Sequence, residues 1–391
     1  MNTDVEKQFK ETKLLFDKIG RMLKILNAWP VGCTTRGFIL FTIYFIYENL
    51  YLSMAFNDFI SIFGDLQLMT VNLLGTLVQL VMMIRLIFVR FSKSLKKIVI
   101  EITDNFCDKN YQDPNEKRIY VQYSPLITKF YKITMIFGVG SAFGFCLLPL
   151  QKWLISWCLH KPIFLELPYR VKVFNSNESS FKESILLYVF EVPLPVSSLF
   201  YSASVNMQFI IITNICARIA ILTSRIKNVR GEVESVSAIK RIVLKHLELI
   251  RITKKFDEVW TPVFFIETLV EIPLLALVMF SAILAVEARE TMVFMTLFIY
   301  VVAVLACMFA NCLMGELLLT EREQLLEAFY LCNWYKMSIE SKRSWLICMV
   351  NCASIPMHMT AGKIYIFSFN GFTGILKSSM GYVSLLRTLT M

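Results

Sequence analysis

Stretches of apolar residues long enough to cross a lipid bilayer recur along this chain. Short segments holding most of its Lys and Arg separate them. This alternation narrows the fold more than any other feature. Inside a bilayer no water is present to satisfy backbone N–H and C=O groups, so a spanning segment must be a helix or part of a closed barrel. A helix needs about 20 apolar residues to cross. The stretches at 38–56, 66–89, 127–150, 185–222, 263–286, 291–314 and 364–389 have helical rather than strand length. Composition agrees: 56% of the 391 residues are hydrophobic and 18% charged, against roughly half and a quarter in soluble domains. The expected class is all-α, a polytopic membrane protein with seven transmembrane helices.

The net charge of +10 does not mark a nucleic-acid binder, because the bases are dispersed between apolar stretches. There they set topology and meet membrane lipid headgroups. The segment before the first stretch carries Lys7, Lys10, Lys13, Lys18, Arg21, Lys24 and Arg36, and residues 57–65 carry no Lys or Arg. Bases return after the second stretch (Arg90, Lys93, Lys96, Lys97) and after the fourth (Arg225, Lys227, Arg230, Lys240, Arg241). Only Arg289 lies between the fifth and sixth. The bias places the N-terminus in the cytosol and the C-terminus outside. Asn177-Glu178-Ser179 is a glycosylation sequon, and it falls in a loop the charge bias has already put outside. The opening MNTDVEKQFKETK has no apolar core, so no cleaved leader is expected there.

Residues 1–37 are amphipathic, with Phe9, Leu14, Leu15, Ile19, Leu23 and Leu26 at helical spacing. Such a segment lies on the membrane surface or packs on the protein. The fourth stretch is too long for one straight crossing, and Pro193 and Pro195 should break it. Gly138, Gly140 and Gly144 in the third allow close helix approach. Four acids fall inside spans: Glu48, Glu191, Glu267 and Glu271. Pairing with a nearby Arg or Lys, or a place at an interface, outweighs proton relay or cation binding for them. The last stretch is polar for a span, with Ser368, Asn370, Thr373, Lys377, Ser378, Ser379, Ser384 and Arg387. It should face protein or water rather than lipid.

Catalysis is not expected. The ten Cys and three His form no CxxC pair or metal-ligand spacing, and no nucleophile–base arrangement or phosphate loop is visible. No cofactor or metal is implied.

The two ends carry a specific pattern. Gly315-Glu316 is followed by Glu327-Ala328-Phe329-Tyr330, Trp334-Tyr335 and Thr360-Ala361-Gly362-Lys363. Then come Phe372-Thr373-Gly374-Ile375-Leu376-Lys377-Ser378-Ser379 and Tyr382-Val383-Ser384-Leu385-Leu386-Arg387. The series resembles the C-terminal signature of insect odorant receptors. Met22-Leu23-Lys24-Ile25-Leu26-Asn27-Ala28-Trp29-Pro30 is similar to the opening of that family. The chain departs from the pattern at Asn311-Cys312, Ser354-Ile355-Pro356 and Ser379-Met380-Gly381-Tyr382. It lacks the ending of the related gustatory receptors. Thr223–Thr261 is too short for the insertion of the shared co-receptor, so the resemblance is to a tuned subunit.

The resemblance implies a ligand-gated, non-selective cation channel in the plasma membrane of a sensory neuron dendrite. Four subunits, tuned chains together with the co-receptor, would surround one pore that passes cations. It implies a cytosolic segment at 1–37, six spans with an odorant pocket in their outer half at 38–314, a cytosolic helical anchor at 315–362 and a pore-lining helix at 363–391. Carried onto matching positions, the gate would be Leu385, Thr388 and Leu389. The alternative for Leu385 and Leu389 is packing against neighbouring helices. Lys377 is read as snorkelling or pairing with an acid rather than selecting ions. A small, mostly apolar odorant would be lined by Met69, Asn72, Leu73 and Thr76 of the second helix. Phe137, Gly140 and Phe143 of the third, Pro193 and Tyr201 of the fourth and Tyr300 of the sixth are the further candidates. For each of these, interior packing is the other reading. A seven-helix receptor acting through G proteins would have the opposite orientation, and a secondary transporter would show a second broken helix in its other half.

Overall fold

The computed structural model describes residues 2–25, 28–32, 34–105, 114–158, 169–171, 181–229, 236–355 and 357–390. It is all-α apart from one two-residue strand pair. The helices are α1 (Asn2–Ile25), α2 (Thr35–Ser61), α3 (Leu66–Phe91), α4 (Lys93–Asn105), α5 (Pro114–Gln122) and α6 (Ser124–Cys158). They continue with α7 (Phe181–Glu191), α8 (Val196–Lys227), α9 (Val236–Glu287), α10 (Thr291–Leu331), α11 (Ile339–Ser354) and α12 (Phe369–Thr390). Among the described residues, five helical segments are long and apolar enough to cross a membrane: Thr35–Ser61, Leu68–Phe91, Ser184–Lys227, Val236–Glu287 and Val293–Lys336. The other two apolar stretches fall on α6 and α12.

Start signals act where side chains can reach the free N–H groups of a first turn. Thr34 Oγ1 accepts from Gly37 N at 3.2 Å, and Asp65 Oδ1 accepts from Leu68 N at 3.0 Å. The expected break in the fourth stretch is a turn at 192–195 between α7 and α8. Thr223–Thr261, read from sequence as a connecting loop, is largely helix. From Val236 onward it is continuous with the fifth span in α9, and Pro262 and Pro273 both sit inside that helix. Each proline removes one ladder bond, which a helix of 52 residues tolerates.

The core is organised round α8. Every residue from Ser202 to Ala217 is buried, and its polar side chains Ser204, Asn206 and Gln208 bond to neighbouring helices. On one flank α6 meets it closely. A Cβ at Gly138 would stand 2.3 Å from Ser202 Oγ, Asn206 Nδ2 donates to Thr134 Oγ1 at 2.7 Å, and the rings of Phe130 and Phe209 stack with centroids 3.8 Å apart. Gly138, not Gly140 or Gly144, is therefore the close-approach glycine. Nothing lies within 4 Å of a Cβ at the other two.

The amphipathic N-terminal helix packs on the protein. Phe9, Phe16, Ile19 and Leu23 are buried, and Thr12 Oγ1 donates to Ser124 Oγ at 2.8 Å. The outward face of α2 is apolar, with Phe38, Ile39, Ile43, Ile46 and Leu50 exposed. Lipid accounts for such a face.

The C-terminal motif residues have local physical reasons. A Cβ at Gly315 would lie 2.1 Å from Phe367 O, so α10 and the turn before α12 touch through backbone. Glu316 Oε2 accepts from Phe369 N at 2.9 Å, where α12 begins. Asp257 Oδ1 of α9 accepts from Thr360 N at 2.6 Å. Gly362 has φ +62, and a Cβ there would stand 2.4 Å from the Phe265 ring. Trp345 is fully buried and donates through Nε1 to Phe329 O at 3.1 Å.

Candidate functional site

Three groupings carry polar chemistry inside or along the bundle. The first joins α2, α3 and the start of α8. Asn72 lies on the inward side of α3 and donates through Nδ2 to Ala55 O at 3.1 Å and Asp58 Oδ2 at 3.0 Å. Arg170 Nε donates to the same Asp58 oxygen at 2.9 Å, drawing residues 169–171 onto α2. Thr76 Oγ1 donates to Asn72 Oδ1 at 3.2 Å. Two turns along α3, Gln79 Nε2 donates to Glu48 Oε1 and Ser197 Oγ, each at 2.8 Å. Glu191 is buried and its Oε2 accepts from Tyr169 N at 3.0 Å. One oxygen each of Glu48 and Glu191 is buried with no hydrogen-bond partner among the described residues. Of the span acids, these two thus hold neutral donors, not a Lys or Arg.

The second grouping centres on Arg85. Its guanidinium donates through Nη1 to Glu267 Oε1 at 2.6 Å, through Nε to Ser204 Oγ at 2.9 Å and through Nη2 to Gln208 Oε1. The rings of Tyr201 and Trp260 lie 5.0 and 5.1 Å from it. One side chain of α3 thereby links α8 and α9. Beside it is a cavity of about 10 Å³ lined by Leu23, Met82, Arg85, Tyr201 and Ser204 among others, scarcely room for one water. Glu271, one turn beyond Glu267, is only half-buried.

The third grouping is the outer face of α12. Ile375 and Ser379 are buried inward. Thr373, Gly374, Lys377, Ser378, Gly381, Ser384, Leu385 and Thr388 are exposed, and a Cβ at Gly374 or Gly381 would meet nothing within 4 Å. The helix is thus one-sided, with its polar stripe turned away from its own chain. At its far end Arg387 Nη2 lies 3.7 Å from Glu287 Oε1.

The residues nominated for an odorant pocket divide between these surroundings. Asn72 is buried, and Met69, Leu73 and Thr76 are half-buried beside it on α3. Tyr300 packs on the apolar cluster that contains Leu74, Leu274 and Val278, alongside Leu77 and Val78 of α3. Tyr201 lies further along the bundle, with Arg85. Phe137, Gly140, Phe143 and Pro193 are exposed and do not join the α3 residues within this chain. The α6 register explains two of them: Phe130, Thr134 and Gly138 face α8 at helical spacing, which turns Gly140 and Phe143 outward, while Phe137, on the edge of the face that carries Phe130, is nonetheless 54% exposed. Of the gate candidates, Leu385 is 55% exposed and Thr388 donates to Leu385 O at 2.8 Å. Leu389 lies in α12 with its side chain outside the described residues, and Asn177 lies outside them altogether.

Reading the sequence by helix faces missed Gln79, Ser197 and Tyr51 as buried polar groups near Asn72. Tyr51 is buried, and its ring meets Tyr169 edge-on at 5.8 Å. The available signal was Gln79 itself, an amide placed seven residues after Asn72 and so on the same helix face.

Comparison with known proteins gives the family and the fold. A family model described as 7tm odorant receptor matches residues 65–380. Odorant receptor 13a of Drosophila melanogaster is 22% identical over 94% of this chain and 93% of its own length. The odorant receptor coreceptor of Aedes aegypti is 27% identical over 150 residues, 38% of this chain and 31% of that protein. The solved structure of the insect olfactory receptor OR5 from Machilis hrabei superposes with a TM-score of 0.79 at 14% identity, covering 97% of this chain and 98% of that one. A second structure of the same receptor, in complex with eugenol, gives a TM-score of 0.74 at 14% identity over 97% of this chain and 99% of that one. At that identity the likeness concerns the fold.

Proposed function

The chain belongs to the 7tm odorant receptor family, and from that premise we propose that it is a tuned, odorant-binding subunit of a ligand-gated, non-selective cation channel. It is not an enzyme. In this reading the chain sits in the plasma membrane of a sensory neuron dendrite, N-terminus in the cytosol. It joins co-receptor subunits in a heterotetramer round one pore. Residues 1–37 and 315–362 are cytosolic, 38–314 hold the odorant in their outer half, and 363–391 line the pore.

The observation that carries the reading is the one-sided α12. A helix that buries Ile375 and Ser379 against its own chain and turns Thr373, Ser378, Ser384 and Thr388 outward suits a water-filled path between subunits far better than lipid. Leu385, Thr388 and Leu389 form the gate, where a ring of apolar side chains closes a pore by dewetting. Odorant binds between α3 and the helices it faces, with Met69, Leu73, Thr76 and Tyr300 supplying surface and the Asn72 network the polar edge. Few free donors or acceptors are on offer there, so shape and desolvation favour small volatile molecules of low polarity.

The test is whole-cell current in cells expressing this chain with and without an insect co-receptor, during a broad volatile panel. An inward, non-selective cation current that needs the co-receptor and survives block of G-protein signalling is the expected result. A current abolished by that block would sink the reading.

A further inference from the structure

The bases on α1 and α6 gather along one seam, bordered by a single exposed acid, Asp17, one turn before Arg21. The two helices run side by side in the same direction, since Thr12 bonds Ser124 and Lys18 Nζ lies 5.3 Å from the Tyr131 ring centroid. Lys18, Arg21 and Lys24 on α1 and Lys129 and Lys132 on α6 are all exposed. No carboxylate pairs with any of the five among the described residues. From Lys18 to the end of α1, and along the whole of α6, the sequence has no Asp or Glu. Some bases elsewhere do meet acids, Arg218 and Lys245 with Glu248, Arg225 with Glu116 and Arg251 with Glu101, whereas Lys240, Arg241 and Lys255 of α9 are exposed with no carboxylate partner among the described residues. Ile25, 68% exposed, continues the outward side of α1 as an apolar contact.

We propose that this α1–α6 seam is a binding site for an anionic phospholipid of the cytosolic leaflet. Its headgroup phosphate is held by Lys18, Arg21, Lys24, Lys129 and Lys132, and its acyl chains lie along α6. The commitment to lipid follows from position. The seam sits where α6 turns from Ser124 into its apolar run, at the depth where Lys and Arg reach phosphate while their stems stay in hydrocarbon. Burial of Phe9, Phe16, Ile19 and Leu23 fixes the roll of α1, so the bases are held outward in advance of binding. The site rests on the cytosolic placement of α1 but not on channel function.

Native mass spectrometry of the purified full chain, with dioleoyl phosphatidylserine or dioleoyl phosphatidylcholine added, tests this. The chain should retain phosphatidylserine and lose phosphatidylcholine. Lys18→Gln/Arg21→Gln/Lys24→Gln should weaken phosphatidylserine binding at least about tenfold, and Lys129→Gln/Lys132→Gln should weaken it independently. Lys240→Gln/Arg241→Gln/Lys255→Gln, which removes as many exposed bases from α9, should not. Equal retention of the two lipids, or equal loss in the α9 control, would overturn the site. Competition by glycerophosphoserine as strong as by the intact lipid would make it a free-phosphate site and overturn it too. Loss of the lipid on co-assembly with the co-receptor would make the seam a subunit contact instead.

Discussion

Arg85 Nη1 and Glu267 Oε1 stand 2.6 Å apart, 182 residues apart in sequence, with side chains only 1% and 2% exposed. The pair joins α3, which carries the proposed odorant face, to α9, which packs along α12. Removing one partner leaves the other charge buried and uncompensated, which costs about 3–5 kcal/mol. Glu267→Leu and Arg85→Leu should each lower the thermal midpoint of the purified protein sharply. Arg85→Leu/Glu267→Leu should recover much of the loss, so a double-mutant cycle reads the pair directly. Additive losses would show that the two act separately.

Gly315→Ala should be far more damaging than an ordinary helix Gly→Ala change. The new methyl meets Phe367 O at 2.1 Å and Phe367 Cβ at 2.7 Å, and backbone cannot swing aside as a side-chain tip can. A cost of about 1–3 kcal/mol follows from overpacking. The Glu316–Phe369 contact at the start of α12 should loosen with it. Thermal unfolding checks the first effect, and hydrogen exchange at the start of α12 the second. Gly374→Ala, where nothing described lies within 4 Å, is the control and should cost nothing, gaining about 0.5–1 kcal/mol from helix propensity.

His246, on the part of α9 before Pro262, is fully buried against the Phe329 ring, centroids 5.1 Å apart. Neither ring nitrogen has a hydrogen-bond partner among the described residues. Burial pushes its pKa down from 6.5 to about 4. Between those values the unfolded chain binds the extra proton and the folded chain does not. Stability is therefore full above about pH 6.5 and falls as the pH drops toward about 4, by on the order of 3 kcal/mol in total. His358 is also lowered by burial and adds slope of the same sign. The informative quantity is the difference between the native chain and His246→Leu, which should show a flatter pH profile in that window. Identical profiles would remove His246 from the acid sensitivity.

If Leu385 closes the pore as proposed, Leu385→Ser should raise the basal current of the assembled complex several-fold, because a polar ring no longer dewets the proposed gate. Surface expression should be unchanged, since Leu385 is 55% exposed within its own chain and contributes little to its stability. An unchanged basal current with normal surface expression would mean that Leu385 packs between subunits rather than closing the pore.

Much of the architecture lies in one-dimensional signals. The apolar stretches fall on α2, α3, α6, α7–α8, α9, α10 and α12, because bilayer thickness translates directly into run length. Pro193 and Pro195 mark the break before α8, because a missing N–H is a local property. The polarity of α12 already says that the helix must face something other than lipid. Sequence alone could not fix which way each helix is rolled or which partner a buried polar group meets. Gly138 rather than Gly140 touches α8, since the roll of α6 is set by Phe130 and Thr134 meeting Phe209 and Asn206. That roll turned Gly140 and Phe143 away from the interior. Arg85 and Glu267 are both visible as charges inside spans, yet nothing local says that they belong to each other. A glycine, a charge or a proline declares what a segment can tolerate. Only the tertiary packing, which sums many weak contacts between distant helices, decides which of the tolerated faces points inward.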